Sequence, residues 1–132
     1  MLSLGIGTRV VLATEPVDLR RGHDGLISLV RSRWTVDPYS GTLFVFFGRR
    51  GDRVKILFFA AGGFVVYYKR LERGRFTMPV AAAGATSIPL DGAALAMLLE
   101  GIDVGAVKRP ALWAPKKTTS QSTQRIDIRS AS

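Results

Sequence analysis

Hydrophobic residues fall along the chain in two rhythms, and each change of rhythm marks a boundary. Residues 9–14 carry the apolar and β-branched run Val10-Val11-Leu12-Ala13-Thr14, which predicts a short strand ended by Glu15-Pro16. Apolar positions then recur at helical spacing. Leu26, Leu29, Val30 and Trp34 lie along one face of a helix predicted over 22–34. Asp18 is the expected N-cap, because its carboxylate can accept from the orphan amides of a first turn. Gly22 and Gly25 weaken that turn, so a late start is expected. Arg31 and Arg33 suit the negative end of the helix dipole.

The rhythm changes again after the turn cluster Asp37-Pro38-Tyr39-Ser40-Gly41. Three runs of strand formers follow, 42–47, 53–59 and 64–70. The loops Gly48-Arg49-Arg50-Gly51-Asp52 and Ala60-Ala61-Gly62-Gly63 separate them. Strands joined by short Gly-bearing loops make an antiparallel meander. Alternation puts Arg53 and Lys55 on one face, with Val54 and Ile56 on the other. Tyr67 and Tyr68 point to opposite faces, so one of them is expected near the surface. Phe76-Thr77-Met78-Pro79 is expected as a last, edge-like strand ended by its proline, and 81–86 as a loop. Ser87-Ile88-Pro89-Leu90 leads to Asp91, the expected N-cap of a helix over 93–100, with Gly101 in the C′ position.

The expected fold is therefore α+β: a small antiparallel β-meander of three to four strands, one helix before it, one after, and a flexible C-terminal tail. Residues 1–107 are expected to form the single domain, and residues 108–132 a basic, disordered tail, rich in Pro, Lys and small polar residues, with only Leu112 and Trp113 able to dock back. A chain of 132 residues that is 47% hydrophobic has enough apolar surface for one core.

The chain has no cysteine, which excludes disulfides, thiolate metal sites and a Cys nucleophile. The first six residues lack the basic segment of a signal peptide. No apolar run reaches about 18 residues, so no membrane span is expected and the cytoplasm is the expected location.

Charge changes the picture most. Nineteen Lys and Arg oppose ten Asp and Glu, giving +9, and fourteen of the nineteen are Arg. Twelve of these cations lie between Arg20 and Arg75 against only Asp24, Asp37, Asp52 and Glu72, so this segment alone carries +8. Such a surface attracts polyanions, and the guanidinium fork suits phosphate oxygens better than a point charge does. The candidate nucleic-acid-binding residues are Arg49, Arg50, Arg53, Lys55, Lys69, Arg70, Arg73 and Arg75, with Arg20 and Arg21 as additions. The hinge at 49–55 and the exit at 69–75 need not lie at one end of a meander. A solvated surface of scattered ion pairs is the competing reading. Phe44, Phe46, Phe47, Phe58, Phe59, Phe64, Tyr67 and Tyr68 are interleaved with these charges. An open sheet face can stack such rings on single-stranded bases, but a small sheet protein needs most of them in its core.

Five motifs occur in order: Asp18-Leu19-Arg20-Arg21-Gly22-His23-Asp24-Gly25-Leu26, Asp37-Pro38-Tyr39-Ser40-Gly41, Gly48-Arg49-Arg50-Gly51-Asp52-Arg53-Val54-Lys55, Tyr68-Lys69-Arg70-Leu71-Glu72-Arg73-Gly74-Arg75-Phe76, and Leu98-Leu99-Glu100-Gly101-Ile102-Asp103. Together the chain resembles the TnpB accessory proteins of the insertion sequence 66 family, over about residues 10–103. The resemblance implies a role in transposition beside a separate, larger transposase, and brings no assigned catalytic residues with it. Family members often carry two Trp and an Asp where this chain has Phe58, Phe59 and Ala60. The Phe pair keeps the packing role and the carboxylate is lost.

Independent chemistry is not expected. Two-metal phosphoryl transfer needs clustered acids, and the ten acids here are dispersed, with Asp18 and Asp24 explained by capping and Asp37, Asp52 and Glu72 by neighbouring arginines. His23 is the only histidine, too few for a His-rich metal site. No cofactor is expected. The expected function is a non-catalytic accessory protein of transposition, with DNA and the element's transposase subunit as partners and nucleoid association when DNA is bound. The alternative is a protein-interaction subunit of the transposase complex without direct DNA contact.

Overall fold

A computed structural model describes residues 7–101. The expected tail lies outside the described residues, as do Ile102 and Asp103 of the last motif. The elements in chain order are β1 (Val10–Ala13), α1 (His23–Arg33), β2 (Leu43–Phe47), β3 (Arg53–Ala60), β4 (Gly63–Arg70), β5 (Ser87–Leu90) and α2 (Gly92–Leu99). The five strands form one sheet in the order β4-β3-β2-β1-β5. Every pairing is antiparallel except that of β1 with β2, which is parallel, Val10 opposite Leu43 and Leu12 opposite Val45. The α+β reading and the β2–β3–β4 meander stand, with a larger sheet than expected.

Hydrophobicity explains the strand order. β1 and β2, the sequences VVLA and LFVFF, are buried on both faces and occupy the interior of the sheet. β4 alternates between half-buried and exposed residues and forms one edge. β5 contains Pro89, which lacks a ladder donor, and forms the other. Each face carries one helix. On the first, Leu26 and Val30 of α1 pack on Val11, Phe44, Phe46 and Leu57, and Trp34 stacks at 6.0 Å from both Phe44 and Phe46. On the second, Ala94, Leu95, Leu98 and Leu99 of α2 pack on Val10, Leu12, Val45, Phe47, Val54 and Ile56.

Two expectations need correction. Asp18 does not cap α1. The N-cap is Gly22, without a side-chain hydrogen bond, because the Asp18 carboxylate turns back to Arg20 instead. Phe76-Thr77-Met78-Pro79 is not a strand. Phe76 is buried at 5.2 Å from the Phe47 ring, so its apolar character reflects a docked segment. The last strand is Ser87–Leu90, which pairs with β1 along its whole length. By contrast Asp91 caps α2 as expected, its Oδ1 accepting from the Ala94 amide at 2.7 Å, and Gly101 follows the helix with φ +83°.

The β3–β4 hairpin closes with only Ala61 and Gly62 between the paired residues Ala60 and Gly63, and both have positive φ, +50° and +82°. A two-residue turn with both φ values positive favours Asn-Gly, and an alanine there is strained. Ala61→Asn is therefore expected to raise unfolding stability by roughly 0.5–1 kcal/mol. Asp91→Ala should lower it by about 1 kcal/mol through loss of the cap. Urea denaturation of both variants checks the two signs; a destabilised Ala61→Asn protein would contradict the strained-turn account.

Candidate nucleic-acid interface

The parallel pairing decides where the loops go. The carboxyl ends of β1, β2 and β4 and the start of β3 lie at the same end of the sheet, so residues 14–22, 48–52 and 71–76 meet there. Backbone hydrogen bonds join them. The Val17 amide donates to the Phe47 carbonyl at 2.9 Å, and the Leu71 and Phe76 amides donate to the Asp52 and Gly51 carbonyls, both at 2.8 Å. The question left open by the sequence, whether the hinge and the exit share one end, is answered: they do.

Between residues 16–20 and the start of β3 lies an open cleft of about 610 Å³. Five cations line it, Arg20, Arg49, Arg50, Arg53 and Lys55, against two carboxylates, Asp18 and Asp52, with Tyr68 completing the wall. Arg70 stands directly opposite Arg53 in the β3–β4 ladder, on the face that carries α1. Gly51 has φ +78° and lets the loop turn close to Arg75, whose side chain would lie 3.6 Å from a Cβ at that position.

The polar contacts separate cations that are held from cations that are free. Arg20 donates from Nε and Nη2 to the Asp18 carboxylate, at 2.7 Å for Nη2, and its own amide donates to Oδ1 at 3.0 Å. The side-chain hydrogen bonds from Arg20, then its backbone amide, hold the Asp18 carboxyl far below the usual carboxylate range. Lys55 Nζ donates to the Arg21 carbonyl at 2.9 Å and sits 5.3 Å from the Tyr68 ring centre. Arg53 Nε faces Asp52 Oδ1 at 3.7 Å, beyond hydrogen-bond distance, and both atoms are buried without a hydrogen-bond partner. Arg49, Arg50, Arg70, Arg73 and Arg75 form no ion pair among the described residues.

The structure thus gathers Arg49, Arg50, Arg53 and Lys55 with Arg20 in one cleft, and sets Arg70 and Arg75 beside it. Arg21 contributes through its carbonyl. Arg73 is exposed in the adjoining loop. Lys69 is apart. It projects to the α2 face, where Nζ donates to the Leu99 carbonyl at 2.6 Å and closes the helix C-terminus. Asp18, Asp52, Gly48 and Tyr68 were not among the expected site residues. Alternation already ties Tyr68 to Arg70, but only the register of β3 with β4 puts that pair on the face of Arg53 and Lys55.

Residues 8–109 match the family described as IS66 Orf2 like protein. The chain belongs to that family. All five motifs fall inside the matched span, and membership makes the protein a transposition-associated accessory protein. Two similar proteins come from Sinorhizobium fredii, both described as uncharacterized. The chain is 37% identical to y4jC over 117 residues, covering 89% of this chain and 98% of the relative. It is 41% identical to y4hO over 103 residues, covering 78% and 88%. No solved structure matches.

The lowered Asp18 value has a testable sign. A carboxyl with a depressed folded-state pKa stabilises the fold at pH values above its unfolded value, and that contribution is lost as pH falls toward the folded one. Asp18 should remain ionised at about pH 3.9, where a free aspartate is half protonated. Carboxyl-carbon NMR titration checks this, and Arg20→Ala should return the midpoint toward the ordinary range.

Proposed function

We propose that the protein is a non-catalytic, DNA-binding accessory factor of transposition that grips phosphates with the arginines around the cleft. One observation carries this reading: Arg53 and Arg70 are held directly opposite each other on paired strands. Like charges in that position destabilise a sheet, and no carboxylate among the described residues pairs with Arg70. A polyanion laid across this end of the sheet relieves the repulsion. It also finds Arg49 and Arg50 exposed in the neighbouring loop. Duplex DNA offers evenly spaced phosphates and releases counterions as it is neutralised.

The absence of catalysis is part of the proposal. Among the described residues no three His, Asp or Glu side chains come together in a way that could hold a metal ion. His23, at the start of α1, is exposed. No described helix is long and apolar enough to cross a membrane.

A second reading, docking on the transposase subunit of the same element, is favoured by one feature. The outer edge of β4 is eight residues long and unpaired among the described strands, and a free edge accepts a partner's strand. Salt separates the two readings, because an interface built on strand pairing lacks the steep salt dependence of phosphate binding.

The expected result for the native chain is binding to a random-sequence duplex that weakens steeply with salt. Changing Arg49, Arg50 and Arg53 together to Ala should reduce the slope of log affinity against log salt by about 0.9 for each phosphate no longer neutralised. The Arg49 and Arg50 changes should alter stability by no more than about 1 kcal/mol, since neither forms an ion pair among the described residues. Lys69→Met should do the reverse, lowering the melting temperature while leaving the slope intact. An unchanged slope in a folded triple variant would remove these arginines from the interface.

A further inference from the structure

We infer that the cleft takes an unpaired nucleotide of a DNA strand, with its base against Tyr68 and its phosphates among Arg49, Arg50 and Arg53. The inference rests on the DNA-binding reading and sharpens it from duplex phosphates to an unstacked base.

Tyr68 is the starting point. Core packing does not account for it. Its neighbour Tyr67 packs against the α2-side core, and Phe44 and Phe46 on the α1 side are fully buried. At the far end of the sheet Phe59 and Phe64 pack on each other and on Tyr39, with ring centres 5.0–5.1 Å apart. Tyr68 is 50% exposed and borders a concavity instead. It is also held in place. The Lys55 ammonium stands 5.3 Å from its ring centre and is itself anchored to the Arg21 carbonyl, so two chain segments fix that wall of the cleft.

The shape and lining point to an unstacked base. At about 610 Å³ the cleft lies within the roughly 300–1,000 Å³ typical of small-ligand sites. In an intact duplex the base faces are covered by their neighbours, so a duplex lying across the arginines would leave Tyr68 without a partner. An unpaired base has a free π-face, and a basic groove with an aromatic wall is how single strands are held. Arg70, Arg73 and Arg75 extend the positive surface beyond the cleft, which fits a continuing strand better than a free nucleotide.

The test uses one duplex in three forms: blunt, with a short single-stranded overhang, and with an overhang of the same length made of abasic sugars. The two overhangs carry equal charge and differ only in bases. Fluorescence anisotropy with the full chain should find the base-bearing overhang bound about tenfold tighter than the abasic one. Tyr68→Ala should bring that ratio close to one, and Tyr68→Phe should retain it. An excess of a free mononucleotide should fail to displace the overhang. Equal affinity for the two overhangs, a ratio that survives Tyr68→Ala, or ready displacement by the mononucleotide would each overturn the inference. If the ratio is one but duplex binding still falls steeply with salt, the phosphate reading stands and only this inference fails. Absence of binding to all three forms at low salt defeats both.

Discussion

Two neighbouring strands that run parallel cannot be joined by a tight turn; the chain must cross over the sheet to begin the second. In this protein residues 14–42 make that crossing from β1 to β2, and α1 is the part that packs. Much of the architecture follows from it. A helix on one face requires an apolar surface there, supplied by Val11, Phe44, Phe46 and Leu57. The chain leaves β1 and β2 at the same end of the sheet, so the segment before α1 and the arginine hinge after β2 become neighbours. Antiparallel continuation through β3 then returns β4 to that end as well. An all-antiparallel arrangement of the same strands would not bring residues 16–20 against 48–53.

The concentration of arginine at that end works against stability, and the molecule limits the cost in recognisable ways. Asp18 neutralises Arg20 through hydrogen bonds at an exposed position, and Asp52 faces Arg53. These are the two carboxylates of the cleft, and each lies within two residues of its cation in sequence, so little chain entropy is needed to bring the partners together. The remaining arginines project into solvent, where screening weakens their repulsion at a distance but not that of Arg70 with Arg53 across the strand pair.

Much of this was legible in the sequence where local physics decides. The period-two run from Arg53, the turn glycines around residue 62, the helical spacing of Leu26 and Val30, and the Asp91 cap are short-range signals, and all are found in the structure. What escaped was long-range. Ser87-Ile88-Pro89-Leu90 carries too few strand formers to announce itself, and its proline argues against a strand; it pairs because β1 offers an open edge. Phe76 has the composition of a strand residue but is buried by docking on Phe47. Asp18 had the right chemistry for a cap but found a nearer cation. The site was half legible for the same reason. Charge density singled out its arginines and alternation already separates Lys69 from Arg70, whereas only register decides which of the two shares a face with Arg53 and Lys55.

The described residues contain only two lysines, and both are committed to backbone carbonyls. Lys55 ties β3 to the segment before α1, and Lys69 ties β4 to the end of α2. A compact ammonium on a flexible stem suits this role, because it can reach one carbonyl from either face of a strand. Among the eight cations of the hinge and the exit, the charges left open are all guanidinium groups: Arg49, Arg50, Arg70, Arg73 and Arg75. These remain charged at any physiological pH and present several donors in one plane, the form of cation best matched to phosphate. The division of labour between the two basic residue types therefore separates scaffold from surface. Lysines hold the strands and loops that shape the cleft, two carboxylates hold the arginines nearest to them, and the unheld arginines face outward where an anionic strand would lie.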